Sequence, residues 1–132
     1  MAMGTGWFSA RPNTASAAYP ARAFQLQSVN AILDQLFDTR DAGEDGSLKI
    51  TLPREAENRM LVPIRVEASH SEKVAIIIEQ NRFPLACVYD STDYPAGTFI
   101  GMLELDESSV ISCYALKQGL LYRHSAVVRV PG

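Results

Sequence analysis

From Ser47 to the C-terminus the chain is cut into short runs rich in Val, Ile, Tyr and Thr, punctuated by Pro, Gly, Asn and Asp about every ten residues. A helix-period pattern cannot be laid over this stretch, and the rhythm is that of strands joined by tight turns. The runs fall at about 48–52, 61–68, 73–80, 84–90, 98–105, 109–117 and 120–130, which predicts a mainly β fold, an antiparallel β-sandwich of about seven strands. The run Val74-Ala75-Ile76-Ile77-Ile78 is apolar at every position, as expected for a strand covered on both faces. Pro63 interrupts another apolar run and cannot donate to a ladder, so its position is expected at an edge or a bulge. Lys117-Gln118-Gly119 reads as a short hairpin loop, its glycine free to take positive φ, so the last two strands are expected to pair.

Before Ser47 the period changes. Val29, Ile32, Leu33, Leu36 and Phe37 recur at helical spacing behind Ser28, an N-cap residue type, which predicts one N-terminal amphipathic helix from Ser28 to Phe37. Three turns do not persist alone in water, so the apolar stripe is expected to lie on the sheet and be one cover of the 74–78 run. The core expected from both patterns is Val29, Ile32, Leu33, Leu36, Ile64, Val66, Val74, Ile76, Ile78, Val110 and Val128. Residues 1–23 read as a disordered N-terminus; Ala15-Ser16-Ala17 also has the small-residue form of a secretory cleavage site, so the stretch is either an untethered tail or a signal-peptide remnant. One folded domain is expected over 24–132, since 132 residues suffice for one core and not for two.

Composition narrows the function classes. Twelve Lys and Arg against fifteen Asp and Glu, without a basic stripe, argue against a nucleic-acid partner. No apolar run is long enough to suggest a membrane span. His70 and His124 stand far apart and the cysteines number two, so neither a metal site nor a cofactor is expected. His124 within the last strand reads as a partly exposed pairing residue, and Glu55 and Glu57 as solvated charges of a turn-rich segment; no catalytic residue is assigned.

Two passages carry a resemblance. Leu52-Pro53-Arg54-Glu55-Ala56-Glu57-Asn58, followed by Leu61-Val62-Pro63-Ile64-Arg65-Val66, resembles the proline, acidic-alanine-glutamate-asparagine, valine-proline-valine passage of the SoxY sulfur-carrier family. Lys73 to Ile78, followed by Glu79-Gln80-Asn81-Arg82-Phe83-Pro84-Leu85-Ala86, resembles that family's strand, asparagine and proline-leucine-alanine. The helix, Ser109-Val110 and the closing hairpin through Tyr122 to Val130 agree, so the resemblance runs from about 24 to 130. It implies an immunoglobulin-like sandwich, a periplasmic location and a non-catalytic sulfur-carrier subunit of thiosulfate oxidation, paired as a heterodimer with a SoxZ-like subunit and visiting the other thiosulfate-oxidation enzymes transiently. In the family the sulfur rides on a cysteine in a C-terminal Gly-Gly-Cys-Gly-Gly arm. This sequence ends Val130-Pro131-Gly132, so the carrier cysteine is expected just beyond Gly132, with Pro131 and Gly132 as the arm exit; the alternative is an interaction or scaffold subunit without a carrier cysteine.

Cys87 and Cys113 both fall in apolar runs away from that carrier position. Buried thiols are the first expectation for them, a Cys87–Cys113 disulfide the second. The family's Asn-Gly turn is Asn58-Arg59 here, which predicts a turn built without glycine.

Overall fold

A computed structural model describes residues 20–90 and 97–131. Residues 1–19 with Ala15-Ser16-Ala17, the segment 91–96, and Gly132 lie outside the described residues. Ala21–Ala23, assigned above to the tail, instead belong to a 3-10 turn, Ala21–Gln25, in which Ala23 is fully buried against the helix layer.

The helix α1 runs Val29–Phe37. Ser28 caps it by accepting a hydrogen bond from the Ala31 N–H at 3.3 Å. It stops at Asp38, whose left-handed backbone (φ 58) returns its N–H to the Asp34 carbonyl. Eight strands follow: β1 Ala42–Gly43, β2 Leu48–Thr51, β3 Val62–Ala68, β4 Lys73–Ile78, β5 Leu85–Asp90, β6 Thr98–Leu103, β7 Ser109–Lys117 and β8 Leu120–Val128. Seven coincide with the predicted runs, each within about two residues of the expected bounds. The eighth, β1, has only two residues and pairs β8 in parallel, an addition to an otherwise antiparallel sandwich.

The strands form a five-stranded sheet, β1-β8-β7-β4-β5, and a three-stranded sheet, β2-β3-β6. Between them lies one core of Val62, Ile64, Val66, Val74, Ile76, Ile78, Ile111, Cys113 and Val128 with their neighbours. On the far side of the five-stranded sheet, Ile32, Leu33, Leu36 and Phe37 of α1 pack on Ala75, Ile77, Leu85, Tyr114 and Leu121. Strand β4 therefore sends alternate side chains into both layers, which is why its sequence alternates in neither. Lys73 Nζ ties the layers further by donating to the Leu36 carbonyl at 2.9 Å, near the helix C-terminus. Val29 and Val110, expected in the core, are only half-buried. Val110 has the wrong parity: its neighbours Ser109 and Ile111 face inward, and Val110 faces outward opposite the exposed Val127.

Two local expectations are resolved by the backbone. The β7–β8 hairpin turns on Gln118 and Gly119 at φ 52 and 79, the pair of positive values that matches strand twist. Pro63 sits in a central strand, yet not against the rule. The Ala68 N–H bonds the Gly97 carbonyl, so alternate residues Val66, Ile64 and Val62 exchange hydrogen bonds with β6 and Pro63 does not. Its missing N–H faces the other side, where β2 has already ended with Thr51 opposite Arg65.

Candidate functional site

The candidate site is the end of the sandwich from which the C-terminus leaves. Past Val128 the chain departs from β7 and forms a parallel bridge with the Arg54–Ala56 passage. Arg129 donates its N–H to the Arg54 carbonyl and accepts from the Ala56 N–H, both at 2.8 Å. Its guanidinium is ion-paired with Glu55. Ala56 is buried and roots the passage in the inter-sheet core. One residue on, the Val130 N–H donates to Ser108 Oγ at 2.8 Å. Pro131 follows, exposed and without an N–H, so no further ladder bond can form at that residue.

The second resembling passage reaches the same end. Asn81 Nδ2 donates to the Glu104 carbonyl at 3.0 Å, and Asn81 Oδ1 accepts from the Asp106 N–H at 2.9 Å. The Asp106 carboxylate accepts from the Arg82 N–H, and the Val110 N–H donates to Gln80 Oε1 at 2.7 Å. From the first passage, Arg59 accepts the Leu105 N–H at 2.8 Å and donates its guanidinium to the Asp106 carbonyl at 3.0 Å. The segment 104–110 is thus a hub that joins both passages, and through Ser108 it touches the exit. Its turn partner Asn58 accepts from the Met60 N–H through Oδ1 and from the Leu61 N–H through its carbonyl, with no positive φ at Asn58 or Arg59; glycine is not needed there. The sequence marks Pro131 and Gly132, and Asn81 within the resembling passage, but not Arg129, Ser108 or Asp106. The available signal was the Asn and Asp at turn positions, whose side chains bond nearby backbone.

The thiols are elsewhere. Cys87 on β5 and Cys113 on β7 both lie in register with Ile76 of β4, one on each side. Two strand spacings put their backbones about 9–10 Å apart, beyond the reach of about 7 Å that a disulfide allows. Neither forms one, which removes the disulfide alternative. Cys113 is fully buried, and burial first, then the neighbouring Cys87, pushes its thiol up to about 12. It stays protonated at neutral pH and is a poor nucleophile. His124 stands opposite Cys113 in the β7–β8 ladder, but it is exposed and no hydrogen bond links the two. Instead it lines, with Arg123, an open groove of about 710 Å³ bounded by Ala42–Gly46 and β2. Glu55 is committed to Arg129 and Glu57 is exposed, so the two carboxylates do not form a pair. Among the described residues no group of three or more His, Cys, Asp and Glu is placed to hold a metal ion, and no helix is long and apolar enough to cross a membrane.

Comparison with known proteins gives a consistent family. The family described as "Sulfur oxidation protein SoxY" matches residues 33–132. The solved structure of the sulfur carrier protein SoxY from Chlorobium limicola f thiosulfatophilum superposes with a TM-score of 0.71 at 20% identity, covering 80% of this chain and 97% of that one. A superoxide reductase (neelaredoxin) from Ignicoccus hospitalis superposes with a TM-score of 0.55 at 12% identity, covering 79% and 93%. At such identities these neighbours speak for the fold alone. No curated protein sequence matches the chain.

Proposed function

This chain belongs to the SoxY family, and from that membership we propose that it is a non-catalytic sulfur-carrier subunit of a periplasmic thiosulfate-oxidation system. In this reading a SoxZ-like subunit is its heterodimer partner, the pathway's enzymes are transient partners, and the sulfur intermediate is held on a cysteine arm that continues past Pro131 and Gly132. The observation that carries it is the clamp on Arg129. A carrier arm has to leave a fixed point of a rigid domain, and the backbone of the Arg54–Ala56 passage grips the last residues of the chain where Pro131 ends their pairing. Loading joins the arm thiol to the sulfane sulfur of thiosulfate, releasing one proton and two electrons to the loading enzyme's acceptor. Cys113 does not suit that step, since it is fully buried and keeps its proton, and Cys87 is half-buried within β5, away from the arm exit.

Intact-mass spectrometry tests the reading. The chain of residues 1–132 and the same chain carrying a cysteine arm after Gly132 are incubated with thiosulfate and the loading enzyme. An adduct on one thiol of the extended chain, with none on the 1–132 chain, is the expected result. An adduct on Cys87 or Cys113 overturns the arm assignment. An arm without cysteine, or one that stays unloaded, turns the reading to the interaction or scaffold subunit.

A further inference from the structure

The outer edge of β8 is covered at its two ends and open between them. At one end β1 lies parallel along Leu121 and Tyr122; at the other, Glu55 bridges Arg129 in the same sense. Between these contacts the chain leaves β8, builds β2 in the other sheet and returns. Which backbone groups the gap leaves free follows from alternation. The Val110 and Leu116 carbonyls of β7 accept from Glu79 and Glu72 on the β4 side, so the even-numbered residues of β7 serve β4 and the odd-numbered ones serve β8. Cys113 and Ile111 pair with His124 and Ala126, which leaves Arg123, Ser125 and Val127 pointing outward. Arg129 keeps the same parity, for it gives both its N–H and its carbonyl to the Arg54–Ala56 passage at 2.8 Å. Gly43 stands opposite Tyr122 and so bonds the Leu121 carbonyl and the Arg123 N–H. The Arg123 carbonyl and both backbone groups of Ser125 and Val127 are left without a partner among the described residues.

This gap borders the open groove of about 710 Å³ between β8 and β2, the edge strand of the other sheet. His124 and Ala126 lie on the same face of the sheet as Cys113 and Ile111, toward the inter-sheet space, while Arg123, Ser125 and Val127 lie on the opposite face. Of the charged side chains that line the groove, Asp45 is held by Lys117. Arg123 and Lys49 are exposed and make no ion pair among the described residues, and only Glu44 opposes them.

We infer that this slot binds an extended segment of a partner protein, parallel to β8, with an acidic residue between two β-branched ones. The pairing continues the register of β1. A residue opposite His124 donates to the Arg123 carbonyl and accepts from the Ser125 N–H. A second, opposite Ala126, donates to the Ser125 carbonyl and accepts from the Val127 N–H. The side chains of these two enter the groove beside His124 and Ala126, where β-branched residues suit a pleated surface. The residue between them, opposite Ser125, projects on the other face, which carries Arg123 one step along the ladder. Its carboxylate there meets a guanidinium that has no partner of its own. The chain at Glu44 and at Glu55 closes the slot at its ends, so about three residues pair and the rest of the segment turns away.

The probe is the blocked peptide Gly-Val-Glu-Val-Gly, with Gly-Val-Lys-Val-Gly as its control, each titrated into the whole chain and read by amide chemical shifts. Saturable shifts at Ser125 and Val127 are expected for the glutamate peptide, with a dissociation constant on the order of 1 mM. The lysine peptide is expected to bind at least about tenfold more weakly. Arg123→Glu is expected to reverse that order. Val127→Pro removes one outward N–H at an exposed edge position, where proline fits, and is expected to weaken the glutamate peptide about three- to tenfold. Circular dichroism checks that both variants fold. Hydrogen exchange needs no variant: the Ser125 and Val127 amides are expected to exchange fast in the free chain and slowly with peptide, while those of His124 and Ala126 are protected throughout by β7. Ser125 and Val127 amides already protected without peptide overturn the inference, since the edge is then covered. So do two peptides that bind alike, or no binding at about ten times the expected constant. A glutamate peptide that binds Arg123→Glu and Val127→Pro as tightly as the unchanged chain overturns it as well, by placing the site elsewhere. None of these readouts involves an arm thiol or sulfur loading, so this inference and the carrier reading fail separately.

Discussion

The two sheets of this sandwich are finished differently. The five-stranded sheet is covered by the partner sheet on one face and by α1 on the other, and its inner strand β4 buries Val74 to Ile78 without a break. The three-stranded sheet is closed on one face only. Its strand β3 obeys the rule for a half-exposed sheet, setting Pro63, Arg65 and Glu67 outward against buried Val62, Ile64, Val66 and Ala68, whereas β6 leaves Ile100 and Met102 in water. Burial explains the apolar run of β4 completely. It does not explain the apolar residues of β6, so an apolar side chain there is a statement about what the protein meets rather than about how it folds.

The sharpest way to break this contrast is to ask whether the helix is part of the cooperative domain. Leu33→Ala removes a nearly fully buried side chain from the centre of the α1 stripe, where it faces Ala75, Ile77 and Leu85. The expected loss is about 2–5 kcal/mol in urea unfolding. A loss under about 0.5 kcal/mol makes α1 an appendage, and the five-stranded sheet then has a bare face of its own.

What was legible in the sequence follows the same division. The helix, the seven longer strands and the double burial of β4 were readable because each is written in local period: 3.6 residues for α1, two for most strands, and an unbroken apolar run for β4. Strand β1 was not, since Ala42-Gly43 has no pattern and is strand only because Leu121 and Tyr122 of β8 come alongside. Val110 was misplaced because its run is apolar on both parities, and only the reach of α1 decides which face is covered. The exit was half legible. Pro131 announces that pairing stops, but the grip on Arg129 depends on a carbonyl and an N–H from residues more than seventy positions earlier, and backbone groups leave no mark in a sequence. The resembling passages pointed to the right residues without showing that they converge on segment 104–110.

Two ion pairs fasten the open sheet to the closed one, one at each end of β2, and they sharpen the comparison at lower energy. After β2, Glu55 pairs with Arg129 beyond β8. Both side chains are more than half exposed, so Glu55→Ala is expected to cost about 0.2–1 kcal/mol of global stability. Locally the effect should be confined to the exit. Amide exchange of Arg129 and Ala56 is expected to speed up while the amides of Ile76 and Cys113 are unchanged. If the Arg129 amide stays as protected as before, the backbone bridge holds the exit without the ion pair. If the β4 amides loosen as well, the exit is not a local clamp but part of the core.

Before β2, Asp45 binds Lys117 of β7 at 2.6 Å and accepts from both the N–H and the hydroxyl of Ser47. The Lys117 ammonium above all, and then the Ser47 donors, lower its carboxyl from 3.8 to about 2. A carboxylate whose folded value lies below its unfolded one contributes stability that is fully present above the unfolded value and is lost as pH falls through the folded one. The window for this group is therefore from about pH 4 down to about 2. Chemical denaturation across that range is expected to show the chain weakening as acid protonates Asp45, and Asp45→Asn is expected to flatten part of that slope while leaving the slope above pH 5 unaltered. The effect is read only in acid, and salt should reduce it. An unchanged acid slope in Asp45→Asn means that the contact with Lys117 does not fasten the open sheet at this end. The grip on β2 then rests on the exit clamp and on the apolar core beneath Leu48.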